Sequence, residues 1–407
     1  MSRFKNSLYS VFVYFVLWCM YALQGLIYTS GGIISKGILL ILLLWSMTIM
    51  FKVNTQIARI PSFFYAVNCF LFMTTIYGVL LILGGEELFV VMDNLHIKTS
   101  NFDYLKNIYM SLLPIYVYYY YTIKGELKLQ HILIFIIVLF CIYIANYLND
   151  RAQAIIRSIE NRSIMEGFTL NIGYKFLALL PLIALYKRNP LLQYLFTMIS
   201  LFFIVICMKR GAILIGVICF LLFLYTMLKY ANRSNRFIVV LMSVVSIAVG
   251  IYFIQDMLST NDYFIYRIAQ TIEGNTSNRA DLYSIYIEHF TSEHNFLKFI
   301  FGNGANATLK IGKNYAHNDW LELAINNGVI GLLLYVGFYG TLLKDYLIMR
   351  RRSKYYSNVL LMVFIVLFLS SLFSMSYDSI DKSIAITLGF LLANLYTGNN
   401  ENNLLYG

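Results

Sequence analysis

Twelve runs of predominantly apolar residues, most of them close to twenty long, follow one another along this 407-residue chain. About twenty apolar residues are what it takes to cross the ~30 Å hydrocarbon core of a bilayer as a helix. A backbone placed there must satisfy its polar groups within its own segment, so the helix is the unit of construction. The runs fall at 8–29, 33–51, 61–83, 105–122, 131–148, 168–186, 190–207, 211–229, 236–255, 320–343, 357–375 and 383–397. The expected fold class is an all-α polytopic membrane protein with about 12 transmembrane helices. Composition agrees, since only 13% of the residues are charged where a soluble domain carries about 25%.

The first run follows Arg3 and Lys5, as a secretory signal would. It is too long for a signal core and has no small-x-small cleavage site, so it reads as an uncleaved first span. Cys19, Cys69, Cys141, Cys207 and Cys219 all fall inside apolar runs and none forms a CxxC pair. Neither a zinc site nor a disulfide framework is expected from them. The net charge of +11 does not indicate nucleic acid either, because the basic residues lie in short loops between spans, where they set orientation.

With a cytoplasmic N-terminus, the loops on that side hold Lys52 and Arg59, Lys124 and Lys128, Lys187 and Arg188, Lys229, Arg233 and Arg236, and Arg350, Arg351, Arg352 and Lys354. Of the 20 acidic residues, only Glu126, Asp345 and Glu401 share that side. The bias supports cytoplasmic termini and an even number of spans. On the other face one loop stands out: residues 256–316, about sixty long, well beyond an ordinary connection. The chain therefore divides into nine spans (1–255), a large outer loop (256–319), and three spans with a cytoplasmic tail (320–407). Within the loop, a turn-rich stretch at 273–277 precedes a helix expected from Asn278 to Phe290, with Leu282, Ile285, Tyr286 and Phe290 at helical spacing. That pattern fits a short amphipathic helix lying on the membrane face. The aromatic run Tyr116–Tyr121 is read as packing rather than a sugar platform.

Chemistry is sought where the loop meets the tenth span. His317 stands before Trp320, with Asn318, Asp319 and Glu322 beside it. Histidine is the side chain best able to accept a proton near neutral pH, although by position alone a solvated or capping role is the plainer reading. Lys209 and Arg210 occupy a tight outward turn against the charge bias, where they either simply snorkel to the interface or meet a lipid phosphate or a carboxylate. Arg279 alone reads as a solvated loop residue. Gly302 and Gly304 form a lone GxG, a turn rather than a nucleotide motif, while Gly328 and Gly331 allow helix packing or a break. There is no DxD, P-loop, HExxH, GxSxG or Cys/His cluster. A metal-dependent sugar-nucleotide transferase, an ATPase and a metalloprotease are thereby disfavoured, and no metal or cofactor is expected.

Together, Gly302-Asn303-Gly304, Ala316-His317-Asn318-Asp319-Trp320-Leu321-Glu322 and Asn327-Gly328-Val329-Ile330-Gly331-Leu332 resemble the carboxy-terminal signature of the O-antigen ligase and Wzy-type O-antigen polymerase superfamily. Lys209-Arg210-Gly211-Ala212 is similar to that family's Ser-Arg-Gly-Ala segment, with lysine in place of the frequent serine. Ser277-Asn278-Arg279-Ala280-Asp281-Leu282-Tyr283 is similar to its Ser-x-Arg-x-x-x-Trp segment, with Tyr283 in place of tryptophan.

The resemblance implies a GT-C-like glycosyltransferase of the bacterial inner membrane, with its active site on the periplasmic face. It implies a metal-independent, inverting transfer of an oligosaccharide from undecaprenyl pyrophosphate to an acceptor hydroxyl. His317 would be the general base, and Arg210 and Arg279 would neutralise the pyrophosphate leaving group. Lys209, Tyr283, Gly302, Gly304, Asn318 and Glu322 would complete the substrate-binding surface, and a chain-length-determinant protein is an expected partner. Polymerase is favoured over ligase by the skew toward Tyr, Phe, Ile, Lys and Asn. A flippase is the alternative from another class, but it should show corresponding halves with interrupted helices, whereas here the polar mass sits in one loop.

Overall fold

The computed structural model describes residues 8–85, 87–92, 95–160, 169–231, 233, 235–272 and 279–396. The expected 273–277 turn, Ser277, Asn278, the basic pair Arg3 and Lys5, and Glu401 lie outside them. The chain runs α1 (Leu8–Ala22), α2 (Ile33–Gln56), α3 (Ser62–Gly84), a hairpin of β1 (Leu88–Met92) and β2 (Leu95–Thr99), α4 (Asn101–Ile123), α5 (Ile132–Glu160), α6 (Gly173–Leu185), α7 (Pro190–Ile206), α8 (Arg210–Tyr230) and α9 (Arg236–Thr260). Four short helices follow: α10 (Asp262–Ile272), α11 (Arg279–Thr291), α12 (Phe296–Phe301) and α13 (Ala307–Ile311). Then come α14 (Asp319–Arg352), α15 (Lys354–Phe373) and α16 (Lys382–Tyr396).

A helix stands at each apolar run, and the chain is an all-α polytopic membrane protein, with one hairpin among the described residues. Among the described residues seven helices are long and apolar enough to cross a membrane: α2, α3, α5, α8, α9, α14 and α15. Helices α1, α6, α7 and α16 are apolar but shorter. The remaining one, α4, is the polar-flavoured centre of the bundle, packed against α2, α3 and α16. Its Tyr116, Tyr118 and Tyr119 are buried, so the aromatic run fills the core. At the periphery, α9 presents Val244 and Tyr252 outward, at 60% and 71% exposure, as a helix facing hydrocarbon does.

Three expectations on extent are corrected. Helix α5 continues from the apolar run through the polar residues to Glu160, because nothing after 148 breaks a helix: the segment holds no Gly or Pro before 160. The tenth run is not one straight span. Helix α14 is interrupted at Gly328, whose φ of 64° and ψ of −156° are non-helical, and it continues to Arg352. The amphipathic face of α11 does not lie on the membrane either: Tyr286 is fully buried in a small core with Ala307, Ala316 and Ile325, flanked by Leu282 and Phe290, while Ile285 points outward. The large loop thus packs on itself.

At the opposite end of the bundle, the buried Asp345 of α14 accepts hydrogen bonds from the backbone N–H groups of Ser62 (3.3 Å) and Phe63 (3.0 Å) at the start of α3. A carboxylate on the exposed donors of a helix N-terminus is favourable on both hydrogen-bond and dipole grounds. That explains one of the three acids that break the charge bias.

Candidate active site

The end of the bundle carrying the large loop is assembled around the last turn of α15. Asn318 caps α14, its side-chain oxygen accepting from the N–H groups of Trp320 (2.9 Å) and Leu321 (3.2 Å), as Asn does where the first helical donors lack partners. Its amide nitrogen is then free to donate to the Leu372 carbonyl at 3.2 Å. One carbonyl further on, Phe373 accepts from the Arg279 guanidinium at 2.8 Å. Gly211 sits against the same place: a Cβ there would lie 3.2 Å from the Phe373 Cβ and 2.5 Å from the Tyr174 hydroxyl. Glycine here lets α8 start close to both without displacing either side chain. The final carbonyls of a helix have no partner within it, and α15 uses two of them to collect segments more than fifty residues away in sequence.

His317 precedes the cap with φ of 52°, a left-handed conformation uncommon outside glycine. Its carbonyl accepts from the Tyr283 hydroxyl at 3.5 Å. Its imidazole is half-buried, and burial holds its pKa below the usual range, with the positive charges of Arg279 and then Lys209 pushing the same way. Neutral imidazole is therefore the form favoured at neutral pH. Lys209 and Arg210 open α8 directly after Met208, a second residue at positive φ (53°). Both are half-buried and make further contacts. The structure thus brings His317, Asn318, Arg279, Tyr283, Lys209 and Arg210 to one end of the bundle.

Glu322, Gly302 and Gly304 stand behind that surface. The Glu322 carboxylate is fully buried and accepts from the Thr308 hydroxyl, from Ala316 N–H at 2.8 Å and from the Asn326 amide at 3.0 Å. It holds the backbone next to His317. The glycine turn docks on the break in α14: Asn303 N–H donates to Ile325 O at 2.9 Å and Gly304 N–H to Asn326 O at 3.0 Å. Gly302 has φ of 76°, and a Cβ on it would come within 2.5 Å of Asn326 and Asn327 backbone atoms. A Cβ on Gly328 would meet Gly302 N and Ile300 O equally closely. The two glycines are a matched pair, each leaving room for the other's backbone.

Sequence reasoning missed what ties the end of α15 down. The buried Asp319 carboxylate accepts from Ser376 N–H (2.8 Å), Ser376 Oγ (2.6 Å), Tyr377 N–H (3.2 Å) and Tyr335 OH (2.5 Å). Trp320 Nε1 adds a bond to Ser371 Oγ at 3.0 Å. Asp378, half-buried in the same 374–381 connection, is pushed up to about 6 by burial. Nothing in a stretch between two apolar runs marks Ser376 or Asp378 beforehand. Asp319 was visible beside His317 but had no partner to suggest its role.

Residues 173–336, from α6 to the middle of α14 and less than half of the chain, match the family model described as O-antigen ligase. No curated protein matches the chain. The matched stretch contains Lys209, Arg210, Arg279, Tyr283, the Gly302–Gly304 turn, His317, Asn318 and Glu322. Over that stretch the chain is similar to the O-antigen ligase family.

Proposed function

We propose that this chain is a surface-polysaccharide polymerase, joining oligosaccharide repeats carried on undecaprenyl pyrophosphate at the outer face of the plasma membrane. The observation that carries the reading is the convergence on the end of α15: Arg279 on the Phe373 carbonyl, Asn318 on the Leu372 carbonyl, and the Arg210–Gly211 turn against Phe373.

In this mechanism His317, kept neutral by burial and its cationic neighbours, takes the proton from the acceptor hydroxyl as that oxygen attacks the anomeric carbon. The bond to the pyrophosphate oxygen breaks on the opposite side of the sugar, and the configuration inverts. Arg210 and Arg279 neutralise the charge that develops on the leaving pyrophosphate, through the bidentate geometry a guanidinium offers. Lys209 adds positive potential. Glu322, Thr308 and Asn326 position the His317 backbone from behind, and the paired glycines fix the turn on which that backbone rests.

A ligase would use the same chemistry with a lipid A core as acceptor, and the skew toward Tyr, Phe, Ile, Lys and Asn favours polymerase. A gel of surface polysaccharide from a host strain lacking the gene, complemented with wild type or His317→Ala, tests the reading. A single repeat on the core, extended to a ladder only by wild type, is the expected result. Polymer accumulating on undecaprenyl pyrophosphate, with a bare core, would make the enzyme a ligase. An unchanged ladder would refute both.

A further inference from the structure

The short helix α12 leads directly into the Gly302–Gly304 turn and shares no residue with the histidine and arginine cluster. The chain enters it through the polar run Ser292-Glu293-His294-Asn295, and the Asn295 side chain accepts from the N–H groups of Leu297 (3.0 Å) and Lys298 (3.3 Å). Phe296 and Leu297 then point outward, at 73% and 64% exposure, and Phe301 is half exposed at the other end. At 3.6 residues per turn these three lie within about 140° of one another, so they form one apolar face. The opposite side is packed, with Phe299 stacked on Phe290 of α11 at a centroid distance of 5.1 Å.

The far end of α12 is fastened to a span. The Tyr77 hydroxyl of α3 donates to the Phe301 carbonyl, and Phe301 and Leu80 line the same groove beside α3. Helix α3 is long and apolar enough to cross the membrane. It runs on from Tyr77 to Gly84, roughly 10 Å further at 1.5 Å per residue. Leu80 and Leu83 in that last stretch are 61% and 77% exposed, as residues facing hydrocarbon are. Side chains lean toward the N-terminus of their helix, so the Tyr77 hydroxyl reaches toward the bilayer centre. Phe301 is therefore held below the level at which α3 leaves the lipid, and the exposed face of α12 continues the lipid-facing surface of α3.

The backbone is furnished for the same environment. A segment that enters hydrocarbon without crossing it needs its polar groups satisfied by protein. Phe299 N–H donates to Asn295 O (2.9 Å), Gly302 N–H to Lys298 O (2.7 Å), Asn303 N–H to Ile325 O (2.9 Å) and Gly304 N–H to Asn326 O (3.0 Å). Lys298, exposed on the same helix, has a stem long enough to carry its ammonium back to the headgroups.

From this geometry we infer that α12 is set into the leaflet on the large-loop side of the membrane, with lipid acyl chains covering Phe296, Leu297 and Phe301. The contact has a mechanical consequence. The Gly302–Gly304 turn follows α12 without a break and docks on the interruption of α14 at Gly328, so lipid against α12 holds the turn in its seat. The bilayer becomes part of the frame around that interruption. The inference is independent of the polymerase reading and holds for any reaction at this end of the bundle.

A benzophenone side chain in place of Leu297, in the full chain in phosphatidylcholine nanodiscs, reads the contact on illumination. The expected product is an α12 peptide carrying a phospholipid attached through its acyl chain, and the same group at His294, in the polar run, should give far less. A link from position 297 to a second copy of this chain, no lipid adduct there, or equal labelling at 294 would overturn the insertion. Hydrogen exchange in the same nanodiscs reads the consequence. Leu297→Asp should speed exchange of the Asn303 and Gly304 amides by roughly tenfold or more, the effect of withdrawing one buried apolar side chain. Ile285→Asp, at an exposed position of α11, should leave them unchanged. Unaltered exchange in Leu297→Asp, or equal acceleration by Ile285→Asp, would overturn the coupling. Photolabelling introduces no charge, so it decides the insertion even where Leu297→Asp does not fold.

Discussion

Two sets of ionisable groups lie at this end of the bundle, and they are treated in opposite ways. Asp319 and Glu322 are sealed from solvent and surrounded by donors, four for the first and three for the second. Lys209, Arg210, Arg279 and His317 are half-buried at the mouth of the bundle. A buried carboxylate is tolerable only when its oxygens are paired, so the acids serve as internal struts. The cations are left where an anion from outside can reach them. The comparison teaches a division of labour: buried carboxyl oxygens build the backbone frame, and the cations lie where the proposed substrate would bind.

The sharpest test of that division is His317→Ala, which should lower polymer formation by about 10²–10⁴, the usual contribution of a general base, with unchanged yield and thermal midpoint in detergent. Arg210→Ala and Arg279→Ala should each cost about 10²–10³ in rate, measured as pyrophosphate-lipid release per enzyme. Arg279→Lys should recover only part of it, because a lysine cannot grip the Phe373 carbonyl and a phosphate with one planar group. Glu322→Gln should do the reverse. Weakening a buried, three-donor acceptor removes about 1–3 kcal/mol, read as a lower thermal midpoint, while the surviving folded protein keeps most of its turnover. Should Glu322→Gln instead keep its midpoint and lose its rate, the acid belongs with the chemistry and the division fails.

The smallest effect is in pH dependence. The proposed mechanism requires neutral His317, so activity should fall as pH drops through the pKa of that group. Burial and the two cations depress that pKa, which places the acid limb below the ordinary histidine value of about 6.5. Lys209→Gln removes one positive neighbour, makes protonation easier, and should move the limb to higher pH. A limb that stays in place would mean that Lys209 does not act on the imidazole.

What the sequence revealed, and what it concealed, follows from the range of the forces involved. Apolar runs announce helices because burial in lipid is a local demand on composition, and each run does coincide with a helix. The hairpin at 88–99 was overlooked: its strands are five residues each, too short for alternation to register against neighbouring spans. The break at Gly328 was one of two readings allowed for that glycine. It was settled by Gly302, twenty-six positions away, which needs the same space. His317 and the arginines were legible from their odd placement, whereas the Ser376 and Tyr335 partners of Asp319 are contacts between distant turns and leave no periodic trace.

The use of the α15 carbonyls has a consequence for how the protein is made. Ribosomes deliver the arginines and His317 well before residues 372 and 373, so a nascent chain that has already inserted α8 and threaded the large loop still lacks the anchor on which they converge. The groups proposed for catalysis can be gathered only when α15 and the turn to Tyr377 have arrived. On the proposed mechanism, a half-made chain in the membrane is thereby kept from acting on the lipid-linked sugars around it.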